Sequence, residues 1–159
     1  MAIDNDDGSS YYKILSNFEV YGGHKSNFGG HNKIRSGAIN AYARVYQEGL
    51  CCSVNAANQP GFTDQYYNNT CIQSADGLPA YKFKECSLKN PDNVTALGVL
   101  HDNRIYNPSG AARLICGGNA NDTLSEQQFQ ASGADKGTKV FKTPSVATII
   151  GWAKEMLEF

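Results

Sequence analysis

Lys13–Tyr21 reads KILSNFEVY, and the pattern in this stretch decides the fold. Apolar and polar residues alternate over a span too short for a helix, and an asparagine leads its second half. The same pattern returns along the chain. Asn17 leads FEV, Asn40 leads AYA, Asn69 leads TCI and Asn103 leads RIY, at separations of 23, 29 and 34 residues. The last interval is long enough to hold one further coil around Cys86.

Other strand-like runs follow the same rhythm: Ile34–Val45, Gln65–Gln73, Tyr81–Leu88, Leu97–Tyr106 and Ala112–Cys116. Gly-Gly pairs, Asn-Gln-Pro-Gly, Asp-Gly-Leu-Pro, Asn-Pro-Asp-Asn and Asn-Pro-Ser-Gly separate them as turns. No amphipathic helical window precedes residue 120. Short strands with no helices between them, repeating at about 17 to 29 residues, predict an all-β chain wound as a parallel β-helix. In such a fold each coil buries its face only against its neighbours. An antiparallel sandwich with long loops is the competing architecture.

Two helices are predicted near the end. Thr123 or Ser125 caps the first, and Gly133 stops it. Thr143-Pro-Ser offers a cap and a first-turn proline for the second. In that helix Val146, Ile149, Ile150, Ala153 and Leu157 share one face, widened by Trp152 and Met156. The stripe reads as packing against the last coils rather than as a site.

Composition bounds the partners. The chain has 159 residues, so one domain is expected over 1–159, with coils in 1–120 and a closing segment in 121–159. Hydrophobic residues make up 41% and charged residues 18%, which suits a globular chain. A net charge of −1 with scattered Lys and Arg argues against nucleic acid. No run approaches the roughly 18 apolar residues of a membrane span. The opening MAIDNDDG has neither the basic start nor the apolar core of a signal peptide. Five cysteines and Asn-x-Thr sequons at Asn68, Asn93 and Asn121 nevertheless favour a secreted glycoprotein, seen here without its leader.

The chemistry concentrates at the start. Ile3–Lys33 holds three carboxylates within four positions (Asp4, Asp6, Asp7) and two histidines that each follow a Gly-Gly pair (His24, His31). Lys25 and Lys33 lie close behind those histidines. Paired carboxylates suit glycoside hydrolysis, one protonated as acid and the other ionised as base or nucleophile. Imidazole with ammonium instead suits elimination beside a uronic carboxyl group, where a cation lowers the cost of removing the proton. Asp6, Asp7, His24, Lys25 and His31 are therefore the catalytic candidates. Asp4, Tyr12, Tyr21 and Lys33 are the carbohydrate-binding ones. A calcium ion at DNDDG is a weaker reading, because the spacing departs from an EF-hand loop. No other cofactor is indicated. The cysteines show no zinc spacing and read as disulfides, taken as Cys52–Cys71 and Cys86–Cys116, with Cys51 left over.

IDNDDGSSYY, VYGGHKSNFGGHNK and YYNNTC resemble a group of right-handed parallel β-helix proteins of the pectin-lyase-like superfamily, found largely in algae and related microbes. LSEQQFQASGADKGTKV and IIGWAKEML resemble the closing segment and final helix of such proteins. The resemblance implies about five to six right-handed coils, with a short helix and a C-terminal amphipathic helix packed on them. It also implies extracellular work on polysaccharide by hydrolysis or elimination. Asp6-Asp7 ahead of Gly23-His24 is similar to the polygalacturonase-type arrangement, although the rest of that signature is missing. Such proteins usually carry further N-terminal coils. A chain opening at the acidic motif would therefore be a C-terminal piece or a short version with open strand edges, which invite a homo-oligomer or end-to-end assembly. A glycosylated, self-assembling surface protein without catalysis is the alternative function.

Overall fold

The computed structural model describes residues 3–5, 9–26, 33–43, 50–54, 63–84, 86, 99–117, 119 and 121–158. They form a right-handed parallel β-helix with three sheets running along its length. The first coil is β1 (Ile3–Asn5), β2 (Lys13–Leu15) and β3 (Phe18–Val20). The second is β4 (His24–Ser26), β5 (Ile34–Ser36) and β6 (Ile39–Ala41), and the third β7 (Cys52–Val54), β8 (Gln65–Tyr67) and β9 (Thr70–Ile72). The fourth is β10 (Pro79–Phe83), β11 (Val99–His101) and β12 (Arg104–Asn107). A fifth coil closes the helix with β13 (Arg113–Cys116), β14 (Thr123–Ser125), α1 (Glu126–Ala131) and β15 (Lys139–Lys142), before α2 (Val146–Met156).

Sheet A stacks β1-β4-β7-β10-β13-β14, sheet B β2-β5-β8-β11 and sheet C β3-β6-β9-β12-β15. Every pairing is parallel except β13 with β14. The strands in these sheets are three to five residues long, which explains the weak periodicity of each run taken alone.

The corner between sheets B and C explains the asparagine pattern. There each coil turns through one residue of positive φ: Ser16, Gly37, Asn68 and Asp102, at 52°, 71°, 53° and 54°. Gly37 takes this conformation without a Cβ penalty, and Asn and Asp tolerate it better than most residues. The next position holds Asn17, Ala38, Asn69 and Asn103, with Thr138 in the closing coil. Asn69 Oδ1 accepts from the Ala38 N–H at 3.0 Å, and its Nδ2 donates to the Arg35 carbonyl at 3.0 Å. Asn103 repeats this one coil on, accepting from the Asn69 N–H at 3.0 Å and donating to the Tyr66 carbonyl at 3.2 Å. Thr138 Oγ1 then accepts from the Asn103 N–H at 2.8 Å.

Two sequence expectations are corrected here. Asn40 does not belong to the ladder; it sits mid-strand in β6 and is buried, while Ala38 holds the corner position. The interval from Asn69 to Asn103 also holds one coil rather than two, with Cys86 inside the fourth.

In-register parallel strands stack like positions on like positions, so the bore is lined by columns. Sheet A contributes His24, Cys52, Tyr81 and Leu114. Sheet B contributes Ile14, Arg35, Tyr66 and Leu100. Sheet C contributes Glu19, Asn40, Cys71, Ile105 and Val140. Early coils place polar groups inside, and later coils place apolar ones. Ring contacts run down the bore from His24 through Tyr66, Tyr81 and Phe83 to Phe129. Each large ring buried this way contributes roughly 1.5–3 kcal/mol.

Helix α1 closes the far end. Ser125 and Gln128 form its capping box, and Phe129 stacks on Phe83 at 5.7 Å. The N-cap of α2 is Ser145 rather than Thr143; its hydroxyl accepts from the Thr148 N–H at 3.1 Å. Helix α2 docks on sheet C through Ile149 and Trp152, against Ala41, Ile72 and Tyr106. The predicted stripe is buried only at Ile149, and Val146, Ile150 and Leu157 stay exposed beside an apolar groove. No helix of the described residues is long and apolar enough to cross a membrane.

The disulfides are Cys51–Cys71 and Cys86–Cys116, and Cys52 is the free thiol. The second pairing is the expected one and the first is shifted by one residue. Within β7, Cys52 takes the column of His24 and Tyr81, while Cys51 precedes the strand with its Cα 5.7 Å from that of Cys71.

Candidate functional site

Of the residues predicted from the sequence, Asp4, His24 and Lys25 fall on strands of sheet A. Strands β1 and β4 pair in register, setting Asp4 opposite Lys25. Lys25 pairs in turn with Ser53, and Ser53 with Lys82. Neighbouring strands lie about 4.8 Å apart, so the two lysines of this column are about 10 Å apart. Lys25 and Ser53 are buried, whereas Lys82 is half-exposed. Tyr12, just before β2, and Tyr21, just after β3, are both exposed. Tyr21 also stacks on Tyr42 at 6.1 Å.

Strand alternation separates His24 from Lys25. His24 points into the bore, fully buried, with Nε2 3.2 Å from Glu19 Oε1. It is thereby removed from the set of residues that a polymer outside the coils can touch. Lys33 is also buried: its Nζ and the Arg35 guanidinium each lie 3.7 Å from Asp64 Oδ2. The Lys33 N–H donates to Asp64 Oδ1 at 2.9 Å. Burial pushes the Lys33 ammonium below its usual range; the neighbouring Asp64 opposes that shift and Arg35 adds to it. A cation spent on an internal carboxylate makes Lys33 part of the scaffold rather than of a carbohydrate surface.

Asp6, Asp7, His31 and Asn93 lie outside the described residues. Asn68 and Asn121 are exposed, as sequon asparagines must be to carry a glycan. Among the described residues no three of His, Cys, Asp or Glu converge as metal ligands, and the calcium reading falls on Asp6 and Asp7.

One pair of carboxyl groups does come together, but not where the sequence pointed. Glu126 at the start of α1 and Asp135 after it are both buried, with Asp135 accepting from Asn103 Nδ2 at 3.1 Å and from Thr138 Oγ1. Burial, reinforced by Asp135, pushes Glu126 up to about 9; burial also raises Asp135. Glu126 therefore holds a proton at neutral pH. Closed inside the last coil, the pair reaches no polymer and works as part of the cap.

Sheet B presents a different cluster. His101 Nδ1 lies 2.8 Å from Asp102 Oδ2, and the imidazole stacks on Tyr67 at 4.8 Å. Ser36 shares their column, but Tyr67 stands between Ser36 and His101. A second feature, on sheet C, has no local signature in the sequence. A groove of about 440 Å³ runs beside α2, lined by Ser16, Ile39, Thr70, Arg104, Trp152 and Glu155 together with Met156.

Comparison with protein-family models, curated proteins and solved structures finds no match for this chain. The fold rests on its own topology.

Proposed function

We propose that this is an extracellular β-helix protein of the pectin-lyase-like kind that binds an acidic polysaccharide along the outer side of sheet A. The observation that carries the reading is the in-register pairing of β1 with β4, which sets Asp4 beside Lys25 in a column continuing to Lys82. A chain of uronic acids lying across the strands meets a repeat of about 4.8 Å per coil. Lys82 supplies an ammonium to a carboxylate, and Tyr12 and Tyr21 supply apolar ring faces. Two disulfides and two exposed sequons support an oxidising compartment.

Turnover in this reading belongs to Asp6 and Asp7 as acid and base for hydrolysis, or to His31 as the base for elimination. The test is retention on immobilised polyuronate against neutral glycans, with unsaturated products and reducing ends followed in parallel. Lys82→Ala should weaken retention about tenfold, as expected for loss of a charged hydrogen bond. Asp6→Asn with Asp7→Asn should abolish turnover and leave retention intact. Equal indifference to acidic and neutral polymers at low salt would sink the proposal.

A second reading draws on a separate observation. Tyr11, Leu15, Val20 and Tyr21 are all more than half exposed around the first coil, where β1, β2 and β3 each end their sheet. A glycosylated surface protein that assembles through this end would present such a rim. Concentration-dependent sedimentation, with filaments in negative stain, would favour it.

A further inference from the structure

We propose that the groove between sheet C and α2 is a second saccharide site, separate from sheet A, and that it takes a short neutral oligosaccharide. Its floor is built by the coils themselves. Ile39, Thr70 and Arg104 follow one another in register on β6, β9 and β12, so each coil adds one contact at a spacing of about 4.8 Å. Ser16, at the corner before β3, extends the floor to the first coil. The wall is α2, which contributes Trp152, Glu155 and Met156.

The volume of about 440 Å³ lies within the ordinary range for small-ligand sites. Three properties of the lining select the ligand. Trp152 is half-buried, held at its back by Tyr106 with ring centroids 5.5 Å apart, so the indole is fixed before any ligand arrives. A fixed indole beside Ile39 and Met156 suits the apolar face of a pyranose ring. Arg104 and Glu155 are both exposed and of opposite sign, supplying donors and acceptors with no net charge. Thr70 and Ser16 add hydroxyls. Such a lining favours a hydroxyl-rich neutral chain over a polyanion, for which it holds no net positive charge, and over an apolar peptide, which would strand both charges.

Trp152 is the only tryptophan in the chain, so its emission reports on this groove alone. Neutral gluco-, galacto- and manno-oligosaccharides and oligouronates would each be titrated into the intact protein, exciting at the red edge where tyrosine does not absorb. A saturable emission change with a neutral oligosaccharide is expected. Arg104→Ala and Glu155→Gln should each weaken it about tenfold. Both side chains are exposed, so these variants should fold, and their tyrosine circular dichroism checks this. Retention on polyuronate should be unchanged in both, which separates failure of this groove from failure of sheet A. No change with any neutral sugar, a change with oligouronates alone, or a neutral-sugar response indifferent to both substitutions would overturn the proposal.

Discussion

The side chain of Asn103 does for Asn69 what the side chain of Asn69 does for Ala38. Its Oδ1 accepts from the backbone N–H of the coil before, at 3.0 Å in both cases, and its Nδ2 reaches a carbonyl of a sheet B strand. A chain that turns sharply between two sheets leaves backbone groups pointing inward, where water cannot serve them. The amide answers one donor and one acceptor per coil.

Asn103→Ala should therefore be costly out of proportion to its size. It strands the Asn69 N–H and the Tyr66 carbonyl, and removes a donor to Asp135. With roughly 1–3 kcal/mol for each buried group left unmade, a loss of about 2–4 kcal/mol is expected in urea denaturation. Asn17→Ala, at the first coil and bonded only locally to Leu15 among the described contacts, should cost under about 1 kcal/mol. Equal effects at the two positions would remove the ladder as an explanation of the corner.

The disulfide assignment separates two adjacent cysteines. Cys51→Ser should remove the Cys51–Cys71 link, which closes 20 residues, and cost about 3 kcal/mol by chain entropy. Cys52→Ala should cost about 1 kcal/mol, since its thiol is buried and unlinked. Burial pushes that thiol up to about 12, so alkylation of the folded protein should leave it unmodified at neutral pH. Peptide mapping that found Cys52 in a disulfide would reverse the order of the two variants.

The rhythm of the fold was legible in the sequence because turn chemistry is local. Corner residues such as Asn69 and Asn103 announce themselves at the position where they act. Parity was not legible. Whether His24 or Lys25 faces the bore, and whether Cys51 or Cys52 meets Cys71, each depends on one residue of register, which coil-to-coil pairing alone decides. Asn40 misled for the same reason: an Asn before small residues looks alike at a corner and in mid-strand. The Glu126–Asp135 pair and the groove at Trp152 needed the path of the closing segment, which no local pattern carries. Of the proposed site, the grouping of Asp4 and Lys25 in one polar stretch was within reach, and their facing came only from the register of β1 against β4.

Asp64 holds two cations at once, Lys33 and Arg35, each 3.7 Å from the same oxygen. Removing it takes away the carboxylate that both buried cations share and the acceptor of the Lys33 N–H. Asp64→Ala should cost about 3–5 kcal/mol, the range for breaking a buried ion pair from one side. Lys33→Met keeps the stem and removes one charge, leaving Arg35 beside Asp64, and should cost much less. Chemical denaturation of the two variants orders them, and the reverse order would mean that Asp64 is not the hub.

The cap makes the dependence of stability on pH run opposite to that of an ordinary surface carboxylate. Glu126 in the folded protein titrates at about 9, against about 4.3 for an unfolded glutamate. Between those values the folded chain holds a proton that the unfolded chain has released. The contribution is therefore complete below about 4.3 and is lost as pH rises towards about 9. Asp135, also raised, acts in the same direction. One such proton gives a slope of about −1.4 kcal/mol per pH unit. Glu126→Gln keeps the shape and offers Asp135 an N–H in place of the bound proton. It should remove most of that slope and raise stability above neutral pH, with little change in acid. Denaturation midpoints across the pH range would show this directly, and an unchanged alkaline slope in Glu126→Gln would place the titrating group elsewhere.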